Sequence, residues 1–216
     1  HAAGIVVMNM VGAVKHVKKA LNVGVDLICC QGGEGGGHTG EVPTSILIPK
    51  VVDAVRGHKS PLTGGPVLVG GAGGIFDGRG LAMALSMGAS GVWVGTRFVN
   101  AEEAGAGPYH RKLVMKAGYT DTVRTIIYTG RPMRVYNSDY VKDWQQNKQD
   151  IIKDYTSRGK LPVPYGNERN SVVEPLSEDA PISEWMARRP FLMGQAAGAI
   201  EDVLPAKDIV ESMVSS

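Results

Sequence analysis

Glycine placement constrains this chain more than any other feature. Of 29 glycines in 216 residues, 18 fall between Gly32 and Gly95. They crowd into two clusters, Gly32 to Gly40 and Gly70 to Gly80, and each cluster follows a short apolar run. Glycine costs backbone entropy and is kept where another backbone or a ligand must approach closely. The runs Ile5 to Met8, Leu27 to Cys30, Val67 to Val69 and Val92 to Val94 suit parallel strands buried on both faces. Their first residues are spaced by 22, 40 and 25 positions, which leaves room for a crossover helix in each interval.

Helical patterns fill those intervals. Val14, Val17, Ala20 and Leu21 share one face while Lys15, His16, Lys18 and Lys19 face water, and Gly24 ends the helix. A second helix is predicted over Pro49 to Arg56, with Pro49 in its first turn, and a third over Asp77 to Met87. After Arg97 nothing reads as a further buried parallel strand. Tyr140 to Arg158 has helical character, Leu161 to Asn167 is irregular, and Phe191 to Val214 reads as two short helices divided near Pro205. Four βα units make either a small open sheet or half of an eight-stranded barrel.

Charge narrows the partners. With 23 Lys and Arg against 21 Asp and Glu, the net charge of +2 is too small for a nucleic-acid or anionic-membrane binder, so a small molecule is the expected partner. No apolar run reaches the ~18 to 20 residues of a membrane span, and no leader pattern opens the chain, which points to a soluble, cytoplasmic protein. The chain starts at His1 and enters an apolar run almost at once, so the sequence is expected to be part of a longer one. A homo-oligomer stays open. Cys29 and Cys30, adjacent in an apolar run, are expected to be reduced core thiols. His16, His58 and His110 read as surface residues, and Trp144, Trp185, Tyr128, Tyr136 and Tyr140 as core or rim packing.

Three segments can carry chemistry. Gln31 to Gly40 leaves the carboxyl end of a strand, where α/β proteins bind ligands, and holds His38, which exchanges protons near neutral pH. Gln31 can serve a ligand edge or the loop's own backbone. Gly35, Gly37 and Gly40 fit a dinucleotide fingerprint, but Glu41-Val-Pro43 follows where a helix should begin. Gly70 to Gly80 opens a helix, and its N–H groups with the helix N-terminus suit a phosphate monoester; a close-packed turn is the alternative. It lacks the Gly-Lys-Ser/Thr ending of a nucleotide-triphosphate loop. Gly95-Thr96 ends the next strand and can complete a phosphate cradle, as after the seventh and eighth strands of a barrel. Arg97 can reach phosphate or form a salt bridge behind the loop. The His, Cys, Asp and Glu spacings suggest no metal.

In this order, Gln31-Gly-x-Glu-x-Gly-Gly-His38, Gly-Gly-Ile75 with Asp77-Gly-Arg-Gly80, and Gly95-Thr-Arg-Phe98 resemble the nitronate monooxygenases. The resemblance continues through Val123 to Pro132, Gly194-Gln195 and Asp202 to Ala206. It implies an α/β fold of the (β/α)8 TIM barrel type with the last four βα units present, plus a C-terminal, mostly helical segment. Residues 1–100 would form the C-terminal half of an FMN-binding barrel, 101–190 a helical and irregular insertion-like segment, and 191–216 helices packing on the barrel. It also implies FMN held by Gln31 and Gly36 at the flavin and by Gly73, Gly74, Gly95 and Thr96 at its phosphate. His38 would be the active-site histidine. The implied reaction is oxidation of an alkyl nitronate by dioxygen to a carbonyl compound and nitrite. The related flavin-dependent enoyl-acyl-carrier-protein reductases carry similar glycine motifs, and a non-catalytic flavin- or phosphate-binding fragment is the non-enzyme alternative. Gly35 stands where many members carry Ala, which reads as a slight change.

Overall fold

A computed structural model describes residues 1–163, 173, 176–177 and 179–215. The first part of the chain runs β1 (Met8–Val11), α1 (Val17–Asn22), β2 (Leu27–Gln31), β3 (Gly37–His38), α2 (Thr44–Val55), β4 (Leu68–Ala72), α3 (Gly78–Ser86), β5 (Gly91–Trp93) and α4 (Thr96–Val99). β1, β2, β4 and β5 form one parallel sheet in that order. The order follows the chain without reversal, as in a barrel wall and unlike a doubly wound sheet. Among the described residues the sheet is open, with β1 and β5 as its edges. Helix α2 packs against β2 and β4, and α3 against β5. Ile28, Cys30, Leu47, Ile48, Val51, Val69 and Ala84 fill the space between sheet and helices.

Several elements fall elsewhere than the apolar pattern suggests. The first strand is Met8–Val11, not Ile5 to Met8, and three of its four residues are exposed. An edge strand has one neighbour, so apolar continuity did not mark burial on both faces here. The second helix starts at Thr44, so Pro49 lies inside it rather than in a first turn. Its buried face of Leu47, Ile48, Val51 and Val55 outweighs the hydrogen bond that an interior proline removes. The first helix begins as a 3₁₀ turn, Val14–His16, which leaves Val14 exposed.

The remainder comprises α5 (Pro108–Lys116), β6 (Thr122–Thr125), β7 (Met133–Tyr136), α6 (Asp139–Asn147), α7 (Gln149–Ser157), α8 (Ile182–Arg188) and α9 (Ala206–Ser215), with a 3₁₀ turn at Gln195–Ala199. The helical stretch Tyr140 to Arg158 is thus two helices meeting at Lys148. The segment read as helical and irregular also contains two strands, which build a second, antiparallel sheet in the order β3-β7-β6. Residues 164–167 of the stretch expected to be irregular lie outside the described residues. Tyr128 and Trp144 are buried under this second sheet, whereas Trp185 is exposed. His110 is not a surface residue: it is half-buried, its Nε2 lies 2.9 Å from the Leu192 carbonyl oxygen, and its ring packs on Phe191.

The end of the parallel sheet opposite the glycine loops is tied by Asp26. Its carboxylate accepts from Ser60 Oγ at 2.5 Å, Val7 N at 2.8 Å and Leu62 N at 3.1 Å. The Ser60 hydroxyl first, then the Val7 N–H, hold this carboxyl below its usual range. A depressed carboxylate contributes stability above its unfolded pKa and loses it as pH falls through the folded value. Asp26→Asn is therefore expected to lower the melting temperature by several degrees at pH 7, with the gap to wild type closing as pH drops below the ordinary carboxylate range. Thermal melts of both proteins at pH 7 and pH 3 check this.

Candidate active site

Glu34 organises the first glycine loop. Its two carboxylate oxygens each lie 3.1 Å from Thr44 N, the first N–H of α2, so the carboxylate caps that helix. Thr44 Oγ1 stands 2.9 Å from Glu34 Oε2 and 2.8 Å from the Gly73 carbonyl oxygen. The two glycine loops are thereby joined through one hydroxyl. Gly32 N also donates to Ala72 O at 2.9 Å, and Arg134 Nε, from β7, donates to Gly33 O at 2.9 Å. The sequence alone assigned no role to Glu34, which stands in the motif that carries the resemblance, and did not mark Thr44 or Arg134. A lone carboxylate among glycines, ten residues before a helix start, was the available sign.

Backbones meet at the tip of this loop. A Cβ on Gly36 would lie 2.7 Å from Gly194 N and from the Met193 carbonyl carbon, closer than any real Cβ contact. Gly73 and Gly74 have φ of +94° and +74°, the left-handed region that side chains avoid. Gly95 differs, since its φ is −106° and no heavy atom lies within 4 Å of where its Cβ would stand. The fold does not demand glycine at 95.

Gln31, Gly36, Gly73, Gly74, Gly95 and Thr96 all line one cavity of about 220 Å³, together with Ile75, Trp93, Leu192 and Ala196. The structure thus brings together six residues that the sequence singled out from three separate segments. It also revises the details. The N-terminus of α3 is no free anion site, because Asp77 Oδ1 already accepts from Gly80 N at 3.0 Å and Arg79 pairs with Asp77. The cavity takes the residues before that helix instead. Gln31 Nε2 donates to Gly36 O at 3.0 Å, so half of its amide serves the loop. Thr96 Oγ1 accepts from Gly194 N at 2.9 Å, which holds the C-terminal segment against the cavity. Arg97 is buried and pairs with Asp202 at 2.6 Å, behind the loop rather than in it. A Cβ on Gly35 would lie 2.8 Å from Gln31 Cγ, so an alanine there requires the Gln31 side chain to move.

His38 lies outside the small cavity. It lines an open neighbouring one of about 690 Å³ with Met10, Lys15, Arg124 and Arg131, and Gln31 borders both. Its ring is mostly exposed, with Nε2 2.8 Å from Thr129 Oγ1, and β3 pairs it with Met133 of β7. Desolvation first, then the Arg131 charge, hold its pKa below the ordinary value, so the imidazole is neutral at pH 7. Cys29 and Cys30 are buried free thiols that desolvation pushes up to about 12 and about 11, which leaves them unreactive. Among the described residues no helix is long and apolar enough to cross a membrane.

An open parallel α/β sheet, with two glycine loops joined at its carboxyl edge and a neutral histidine beside them, places a candidate ligand site where α/β proteins bind their ligands. The chain belongs to the nitronate monooxygenase family, whose pattern matches residues 1–216. It is 32% identical, over 99% of its length and 65% of the relative's, to a (3aS,4S,5R,7aS)-5-hydroxy-7a-methyl-1-oxo-octahydro-1H-indene-4-carboxyl-CoA dehydrogenase of Rhodococcus jostii. It is 34% identical, over 99% of its length and 54% of the relative's, to a nitronate monooxygenase of Neurospora crassa. The solved structure of FabK from Thermotoga maritima superimposes with a TM-score of 0.73 at 28% identity, covering 98% of this chain and 60% of that one. The chain thus spans between about half and two-thirds of the length of these relatives.

Gly36→Ala is expected to destabilise the fold by about 1–3 kcal/mol, since backbone atoms on both sides must move. Gly95→Ala is expected to leave the denaturant midpoint unchanged. Urea unfolding of both variants checks the pair of outcomes.

Proposed function

We propose that this chain carries the FMN site and active-site histidine of an FMN-dependent oxidoreductase that oxidises alkyl nitronates with dioxygen to a carbonyl compound and nitrite. The observation that supports this most is the convergence of Gln31, Gly36, Gly73, Gly74, Gly95 and Thr96 on one cavity that shares Gln31 with the cavity of His38. The residues fit the group: Gly95 leaves open space where the fold asks for none, which is what a bound phosphate or ring edge needs. Gly73, Gly74, Gly95 and Thr96 would hold the phosphate, while Gln31 and Gly36 would lie against the ring system. FMN, when bound, supplies the redox chemistry, and the protein supplies position and electrostatics.

His38 then works as a neutral imidazole. It takes the α-proton of a neutral nitroalkane and, carrying that proton, donates a hydrogen bond to the nitro group of the nitronate so formed. Lys15 and Arg131 around its cavity favour a negative substrate, while Arg124 is paired with Glu41 at 3.2 Å. The similarity to a carboxyl-CoA dehydrogenase supports a second reading, a flavin-dependent reductase or dehydrogenase of acyl thioesters, including enoyl-acyl-carrier-protein.

The deciding experiment adds FMN to the purified chain without oxygen and follows the flavin absorption band. Bleaching by an alkyl nitronate, with nitrite released once oxygen is admitted, supports the first reading. Bleaching by NAD(P)H but not by nitronate supports the second, and no flavin uptake removes both for this chain. With a neutral nitroalkane as substrate, His38→Ala is expected to cut nitrite release about 10²-fold or more while FMN stays bound. With that same neutral substrate His38 must be neutral to act as base, so turnover should rise with pH and reach half its plateau below the ordinary imidazole value of 6.5. A pH profile with its acid limb at or above that value would count against His38.

A further inference from the structure

Thr129 and His38 are 91 positions apart in the chain, yet Thr129 Oγ1 lies 2.8 Å from His38 Nε2. We propose that Thr129 is the positioning residue of the active-site histidine: its hydroxyl accepts a hydrogen bond from Nε2–H and leaves Nδ1 as the nitrogen free to take a proton. The inference rests on the reading of His38 as the active-site group and gives that group an orientation and a tautomer.

A second acceptor for the threonine proton is the ground for this direction of the bond. A threonine hydroxyl has one proton and two lone pairs. Thr129 Oγ1 has an acceptor within its own turn, the Arg131 carbonyl oxygen at 3.2 Å, while the Arg131 N–H points back at Oγ1 from 3.4 Å. With its proton directed to that carbonyl, the hydroxyl meets the histidine as an acceptor. The histidine must then donate from Nε2, and Nδ1 keeps its lone pair.

The turn can act as a fixed reference. Ile127 and Tyr128, just before Thr129, are fully buried, and Gly130 N closes the turn on Ile126 O at 2.8 Å. The same hairpin also pairs Met133 with His38 through the β3–β7 ladder. One element therefore holds the histidine twice, by its backbone and by its ring. Lys15, His16, Glu41, Arg124 and Arg131 are the titratable and charged groups around the cavity, and Arg124 is paired with Glu41. The remaining charge is cationic. It opposes protonation of His38 without fixing which nitrogen is free, so orientation is left to the hydroxyl.

The test is a ¹⁵N NMR titration of the His38 ring in the full chain, with neither flavin nor nitronate present. An imidazolium is a stronger donor than neutral imidazole, so an accepting Thr129 favours the protonated ring. Thr129→Val is then expected to lower the His38 midpoint by about half a pH unit, and Thr129→Ser to restore it. A midpoint that rises means that Thr129 donates, and one that stays unchanged means that the contact does no work; either overturns the proposal. The wild-type spectrum gives an independent check should Thr129→Val fail to fold. Nε2 protonated and Nδ1 bare in the neutral ring is the expected pattern, and the opposite tautomer overturns it. Nitrite assays then separate the two levels. Unchanged release by His38→Ala overturns the functional reading and this role with it. Where His38 is required, Thr129→Val is expected to lower kcat about tenfold with KM nearly unchanged, and Thr129→Ser to recover most of the loss.

Discussion

The candidate site depends on one close approach of backbones. Gly36 sits so near Gly194 and Met193 that no side chain fits between them. On either side of that contact the loop is held by direct bonds. Gln195 N donates to Glu34 O at 2.9 Å, and Gly37 and His38 add a short strand to the second sheet. Glu34 then ties the same loop to the start of α2 and, through Thr44, to the second glycine loop. Removing side chains at the glycines makes this approach possible, since the Gly36 contact brings main chain to main chain. Packing explains glycine at Gly32, Gly36 and Gly40, where a Cβ would strike backbone, and a positive φ explains it at Gly73 and Gly74. At Gly91 and Gly95 a Cβ would meet nothing within 4 Å, and neither has a positive φ.

How much of this the sequence disclosed follows from the range of each interaction. β2 and the helix over Gly78–Ser86 were legible because their signals are local: four apolar residues bounded by turns, and an aspartate that caps the helix through Gly80 N. β1 was misplaced because an apolar run fixes neither the register nor the edge of a sheet; pairing of Met8 with Leu27 does that. The start of α2 was missed for a related reason. Its cap is the side chain of Glu34, ten residues away, and not a neighbour of Pro43. The site residues were legible as types, a histidine and glycines at strand ends, while their partners Thr129, Thr44 and Arg134 were not. Thr129 and Arg134 meet the site across 91 and 101 positions, and Thr44 joins two loops that lie 10 and 29 positions from it.

The second sheet shows the same limit. Met133 to Tyr136 alternates buried and half-buried residues, as a strand with one face on a core should. Four residues are too few for that period to stand out, and β3 has only two. Such strands are stable because of what they pair with, and the pairing of Gly37 with Arg134 cannot be read from either segment.

Three apolar cores meet at the loop that carries His38. One lies between the parallel sheet and its helices, one beneath β6 and β7 with α6 and α7, and one around Leu113, Phe191 and Met193. The loop touches each of them: Thr44 of α2 through Glu34, Met133 through His38, and Met193 through Gly36. A loop rich in glycine has high conformational entropy when free, so a single core could not hold it in one geometry. Bonding to three does so, and it couples the histidine's position to the integrity of regions far apart in sequence. Substitutions in the second or third core can therefore disturb the histidine and the cavity beside it without touching either, because these cores supply the walls against which the loop is set.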